Sequence, residues 1–212
     1  MGISQMLMKL AEGMATSCWI FGITLLFSLP LGMVIAFGRM SKKRIVQGIT
    51  KIYISIMRGT PLMLQLMVVY FGPYYLFGIK ISPFYRNIAV VIGFVLNYAA
   101  YFAEIYRSGI ESMPVGQYEA AEILGYSKSQ TFLHIILPQV IKRILPSVTN
   151  EVITLVKDTS LAFVIAVSEM FTIAKALASS QTSMVPYVAA GIFYYVFNFL
   201  VAWIMEKIEK HL

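Results

Sequence analysis

The sequence predicts an all-α integral membrane protein with five transmembrane helices, and three observations predict it. Hydrophobic residues make up 58% of the 212-residue chain and charged residues only 13%, more apolar surface than a soluble core of that size could hide. Long runs carry no charge at all: Gly13 to Gly38, Gly59 to Ile79 and Ala176 to Met205. About 20 apolar residues at a rise of ~1.5 Å span a hydrocarbon core roughly 30 Å thick. A shorter gap runs from Asn87 to Ala103, and a fifth, Val152 to Glu169, holds Lys157 and Asp158 inside it. The third observation is where the basic residues fall. The net charge is +7, yet Lys and Arg gather between the apolar runs rather than along one face among stacking aromatics, which argues for membrane topology over nucleic-acid binding.

Twelve basic residues (Arg39, Lys42, Lys43, Arg44, Lys51, Arg58, Arg107, Lys128, Lys142, Arg143, Lys207 and Lys210) fall on one predicted side, and Lys9, Lys80, Arg86 and Lys175 on the other. The excess marks the first side as cytoplasmic. With five spans, the N-terminus is then outside and the C-terminus inside. No small-residue cleavage signal follows the first apolar run, so it is expected to stay attached. The lone cysteine, Cys18, excludes a disulfide framework and reads as a small core residue.

Taken in order, residues 1–12 read as an amphipathic lead along the outer surface. Span one follows, with Pro30 and Gly32 tolerated because neighbours satisfy the freed backbone groups, and the basic cluster Arg39 to Lys51 ends it. Span two starts at Arg58-Gly59-Thr60-Pro61, with Thr60 as a cap and Pro61 in the first turn, and runs to about Gly72-Pro73. An outer connection over Tyr74 to Asn87 carries Tyr74, Tyr75, Phe77, Phe84 and Tyr85 as an interfacial aromatic belt. Span three continues to about Tyr106. The polar stretch 108–146 reads as short cytoplasmic surface helices rather than disorder. Span four rises from Ser147 to Phe171, a polar outer turn covers Ser179 to Pro186, and span five ends in the amphipathic tail 206–212. Residues 1–212 read as a single domain without internal repeats.

The loop carries Glu119-Ala120-Ala121, then Gly125 three residues after Glu122, then Ile135-Ile136-Leu137-Pro138. Small alanines let another protein approach closely, Gly125 permits a left-handed turn and Pro138 starts the next element. This pattern resembles the EAA loop of bacterial ABC importer permeases. Two more segments, Arg58-Gly59-Thr60-Pro61-Leu62 and Lys157-Asp158-Thr159-Ser160-Leu161, resemble its polar amino-acid uptake branch, as does 103–110.

The resemblance implies a type I ABC importer permease fold in the bacterial cytoplasmic membrane. It also implies ATPase coupling through Glu119, Ala120, Ala121 and Gly125, and pairing with a second permease subunit, either the same chain or a sister. An extracytoplasmic binding protein would deliver an amino acid. The chain has no Gly-x-x-x-x-Gly-Lys-Ser/Thr phosphate loop. It is therefore expected to be a transport subunit rather than an enzyme and to bind no cofactor, with ATP and Mg held by cytoplasmic ATPase partners.

Ionisable groups at membrane depth cost about 2.5 to 3.5 kcal/mol and are functional candidates by default. Asp158, the only aspartate, reads either as the partner of a substrate ammonium, with Thr159 and Ser160 binding the carboxylate, or as one half of an internal pair with Lys157. Asn97 reads either as a pathway amide or as an interhelical hydrogen-bonding group, and Gln65 as a pathway amide or as an ordinary packing residue. Tyr98 and Tyr101 could line the pathway or pack. Glu104 and Arg107 suit an i,i+3 ion pair, and Glu151 and Glu169 read as interfacial caps. His134, His211 and the 13 methionines show no metal-site spacing. The few charges in the spans argue against strongly charged substrates. The alternatives are a permease for another small solute and an ATP-independent secondary transporter, against which the missing inverted repeat weighs.

Overall fold

A computed structural model describes residues 2–211, which are helical with no strand among them. Helix α1 (Ile3–Arg39) runs unbroken for 37 residues with Pro30 inside it. The expected surface lead does not form. Met6 and Leu10 are buried in a cluster with Met170, Ala174 and Leu177, so the first turns extend the helix instead of lying flat. One stripe of α1, comprising Gly13, Ser17, Ile20, Thr24, Ser28, Gly32 and Ala36, is buried. These mostly small side chains let helices approach closely, as membrane packing favours. At Gly32 a Cβ would lie 2.8 Å from Cβ of Phe102 and 3.1 Å from the carbonyl oxygen of Ala99, which fixes α1 against the fourth helix. Cys18 is exposed, on the side away from this stripe, and is not a core residue.

The basic cluster after α1 forms a helix that the charge pattern alone does not suggest. In α2 (Arg44–Gly59), Ile45, Ile49, Ile52 and Ile56 make an exposed apolar stripe at helical spacing, while Arg44, Gln47, Lys51, Ser55 and Arg58 share another exposed face. Helix α3 (Leu62–Phe77) follows at an angle of 110°. Thr60 does not cap α3: its hydroxyl donates back to the Ile56 carbonyl, and Pro61 itself occupies the position before the first helical residue. Helix α3 runs past Pro73, so the outer connection shrinks to 78–82, with Gly78 left-handed at φ 65°. Tyr74, Tyr75, Phe77 and Phe84 remain exposed as a belt requires.

Helix α4 (Pro83–Glu111) is the most buried span and starts on a Ser82 cap. After it come the short helices α5 (Val115–Ile123) and α6 (Lys128–Gln130), a π-helical turn over Thr131–Ile136, and α7 (Leu137–Asp158). Span four is not one straight helix. Helix α7 tightens into a 3₁₀ segment, Thr159–Ile165, then breaks before α8 (Met170–Gln181), which is bent by 60°. Ala166 sits at the break with φ 57°, a conformation unfavourable for an L residue, and its carbonyl accepts from Arg86 at 3.0 Å. Glu169, fully buried, caps α8 by accepting from the amides of Phe171 and Thr172, and it also accepts from the Tyr194 hydroxyl. Helix α9 (Val185–His211) completes the fold and includes residues 206–211 of the expected tail, residue 212 lying outside the described residues. Three helices, α1, α4 and α9, are long and apolar enough to cross a membrane alone. The bent pairs formed by α2 with α3 and by α7 with α8 bring the number to five.

Candidate functional site

Two helices line the cavities of the bundle with polar groups, each from one face. On α4 the series Asn97, Tyr101, Glu104 and Ser108 recurs every three or four residues, and on α7 Ser147, Glu151, Thr154 and Asp158 does the same, the spacing that puts side chains on one side of an α-helix. Facing each other, the two series enclose a cavity of about 370 Å³ closed by Thr60, Pro61 and Leu62 at the start of α3. Below it lies a second cavity of about 410 Å³, lined by Arg58, Glu104, Arg107, Arg143 and Glu151 among others. Tyr101 and Glu151 line both.

Of the residues singled out from sequence, Asn97, Tyr101 and Asp158 come together in the upper cavity. Asp158 makes no ion pair among the described residues. Its carboxylate accepts from Tyr98 at 2.8 Å, and the neighbouring Lys157 is exposed. Thr159 and Ser160 do not line the cavity. Thr159 is fully buried and donates to the Val156 carbonyl, and Ser160 donates to that of Lys157, so the tight 3₁₀ turn consumes both donors. Gln65 does not line it either. Its amide donates to the carbonyls of Met57 and Thr60 and to the Thr60 hydroxyl, satisfying backbone groups left open where α2 ends. Asn97 joins that network, donating to Met57 O at 3.1 Å and to Gln65 Oε1 at 3.0 Å, which leaves only its own carbonyl oxygen to offer the cavity.

Glu151 was legible in the sequence but misplaced. It sits inside α7, four residues after Ser147 and three before Thr154 on the same face, and lines both cavities instead of capping a helix end. Two carboxylates therefore line the upper cavity, and no Lys or Arg is among its lining residues. The low charge content of the spans as a whole does not extend to this chamber. The Glu104–Arg107 pair forms as expected at 2.7 Å, and Arg39 and Arg58 add weaker contacts to the same carboxylate at 3.9 and 3.8 Å.

The loop after α4 presents a second site. Glu119, Ala120 and Ala121 lie on α5; the first two are exposed, whereas Ala121 is buried against its own chain. Gly125 is left-handed at φ 81°. Around it Val115, Ile123, Leu124 and Tyr126 are exposed. Tyr118 packs inward on a small core of Met113, Ile136 and Val140, and burial pushes its phenol above the ordinary value. Gln117 and Gln139 exchange reciprocal amide hydrogen bonds of 2.9 and 2.8 Å, which fasten α5 to the first turn of α7.

An apolar helical bundle holding two polar cavities, with an exposed apolar loop after α4, has the build of a membrane transport subunit. Residues 28–212 match the family of binding-protein-dependent transport system inner membrane components, and the chain belongs to that family. It is 38% identical to an L-cystine transport system permease protein of Bacillus subtilis (strain 168), over 99% of this chain and 90% of that one. An arginine transport system permease protein of the same organism is 37% identical, over 95% and 91%. A chain in the crystal structure of an amino acid ABC transporter with histidines superimposes with a TM-score of 0.87 at 29% identity, covering 96% of this chain and 94% of that one. The protein is thus a multi-pass permease subunit of an ABC importer in the bacterial inner membrane, working with ATPase and other ABC subunits. It is a transport component, and ATP hydrolysis resides in separate polypeptides.

Proposed function

We propose that the upper cavity is where this permease receives an amino acid, with the ammonium group between Asp158 and Glu151 and the Asn97 carbonyl oxygen as a further acceptor. The observation that carries this reading is the pairing of two carboxylates with no lining cation in a chamber built from α3, α4 and α7. A carboxylate in a low-dielectric site is costly unless a cation meets it, and an amino-acid ammonium is such a cation. Polar amino acids with one or two cationic groups fit this chamber. The names of the cystine and arginine permeases among the relatives support the amino-acid class.

The same reading places the N-terminus outside and the C-terminus in the cytoplasm, on the twelve-to-four basic asymmetry. Cytoplasmic ATPases would dock on the exposed residues of α5 and the Gly125 turn, an external binding protein would deliver substrate, and a second permease chain would complete the pore. ATP and Mg would be bound by the ATPases alone.

The test is uptake by the complete transporter reconstituted in liposomes, assayed with each labelled amino acid. ATP-dependent uptake of at least one amino acid that Asp158→Asn and Glu151→Gln both reduce supports the chamber. Uptake unchanged in both variants would exclude it, and transport of sugars or metal ions without any amino acid would exclude the class.

A further inference from the structure

Tyr101 and Glu151 line both cavities and so mark the neck between them, and Arg58, which lines the lower cavity, has its guanidinium 5.4 Å from the centre of the Tyr101 ring. We propose that Arg58 is the gate of this neck and closes it by exchanging its carboxylate partner, from Glu104 to Glu151. The inference rests on the pathway reading above and adds to it a residue and a motion.

Three features carry it. Arg58 is held loosely where it is. Its Nη1 lies 3.8 Å from Glu104, a carboxylate already taken by Arg107 at 2.7 Å and approached by Arg39 at 3.9 Å, and of these three arginines Arg58 is the most exposed, its side chain 44% accessible. The third cation on one carboxylate gains least by staying. Glu151, by contrast, lines the same lower cavity and has no ion pair among the described residues. A guanidinium that moves to it would lie across the neck, filling it and opposing any positively charged group, in the way that charged side chains set electrostatic barriers in other pores.

The helices also supply a reason for the two to move relative to each other. Arg58 occupies the last turn of α2, directly before the 110° bend at Gly59-Thr60-Pro61. Glu151 stands on α7, whose first turn is fastened to α5 through Gln117 and Gln139. A displacement of the docking loop therefore travels along a single helix to Glu151, while Arg58 belongs to another element. A two-position arginine between two carboxylates is the discrete element that such coupling needs.

The experiment uses the complete transporter in liposomes loaded with a labelled amino acid that the wild type carries. Without ATP, Arg58→Ala should raise passive efflux about tenfold, by removal of a charged barrier, with Arg58→Lys restoring tightness and ATPase subunits still co-purifying. Efflux unchanged from wild type in Arg58→Ala, or a leak that lysine does not repair, overturns the gate. A second measurement does not depend on the cargo: Arg58→Cys with Glu151→Cys, in a Cys18→Ser background, treated with a short bifunctional thiol reagent. Cross-linking yield should differ about threefold or more between nucleotide-free and ATP-trapped complexes, as a two-state shift requires, and equal yields overturn the exchange. Absence of ATP-driven amino-acid uptake by the wild type would instead count against the pathway reading, leaving the cross-linking result to decide the gate.

Discussion

Tyr98 donates its phenolic hydrogen to Oδ2 of Asp158 across 2.8 Å, tying the middle of α4 to the last residue of α7. The ring is 2% exposed, so the contact is made inside the bundle. Tyr98→Phe keeps the ring packing and removes one hydrogen bond to a charged group, a loss of about 1.5–3 kcal/mol. The expected result is a lower thermal unfolding midpoint of the purified permease. Asp158→Asn retains an acceptor oxygen for Tyr98 and loses only the charge. It should leave assembly intact and reduce transport; wild-type transport in that variant would remove Asp158 from the pathway.

Gly125 is the position where backbone conformation can be tested apart from packing. No atom lies within 4 Å of where its Cβ would be, so Gly125→Val meets no clash and costs the left-handed conformation alone, about 1–2 kcal/mol. Co-purification of the ATPase should weaken while the thermal stability of the membrane bundle is kept. Unchanged co-purification would count against a docking role for this turn.

The amides of Asn97 and Gln65 act as a splint for the bend between α2 and α3 by capping the carbonyls of Met57 and Thr60. Asn97→Leu leaves the partly buried Gln65 Oε1 without its donor, at about 1–3 kcal/mol, while Met57 O keeps only the Gln65 amide. A melting curve in detergent should shift downward, and Asn97→Asp, which cannot donate, should not rescue it. A melting point equal to wild type would show that the bend holds without the splint.

Where α4 crosses α7, the contact admits no side chain at Gly109: an added Cβ would lie 2.2 Å from Cγ2 of Ile144. Gly109→Ala should destabilise by about 1–3 kcal/mol through overpacking, and Ile144→Ala introduced with it should recover most of the loss. Additive losses in the double variant would mean that the two residues do not share this contact.

Much of this architecture was open to reading along the chain, because a membrane leaves few choices: an apolar run of sufficient length must be a helix that satisfies its own backbone. Ile45, Ile49, Ile52 and Ile56 carried the signal for α2, but the surrounding Lys and Arg pointed to a loop. Residues 1–12 were expected to lie along the surface ahead of the first span, yet contacts of Met6 and Leu10 with α8 make the described part of that lead, from Ile3, continuous with α1. The left-handed turn at Gly125 follows local rules and was found; Glu169 was expected as a cap at the interface, and it does cap α8, but fully buried inside the bundle. Thr159 and Ser160 were expected to serve substrate since hydroxyls beside Asp158 suit a carboxylate, whereas the 3₁₀ turn directs both to nearby backbone carbonyls.

By itself the sequence determined the helical class, the grouping of basic residues between the apolar runs, the patterned loop after α4 and the candidates Asn97, Tyr101 and Asp158, since each depends on composition or on spacings of a few residues. Only the tertiary structure decided that Glu151 faces the same chamber as Asp158, that Gln65 is spent on the α2 end, and that Arg58 stands beside the neck. The reason is geometric. Residues 58, 101 and 151 lie on three different helices, and which faces those helices turn toward one another follows from how they pack, a relation that no periodicity along one segment encodes.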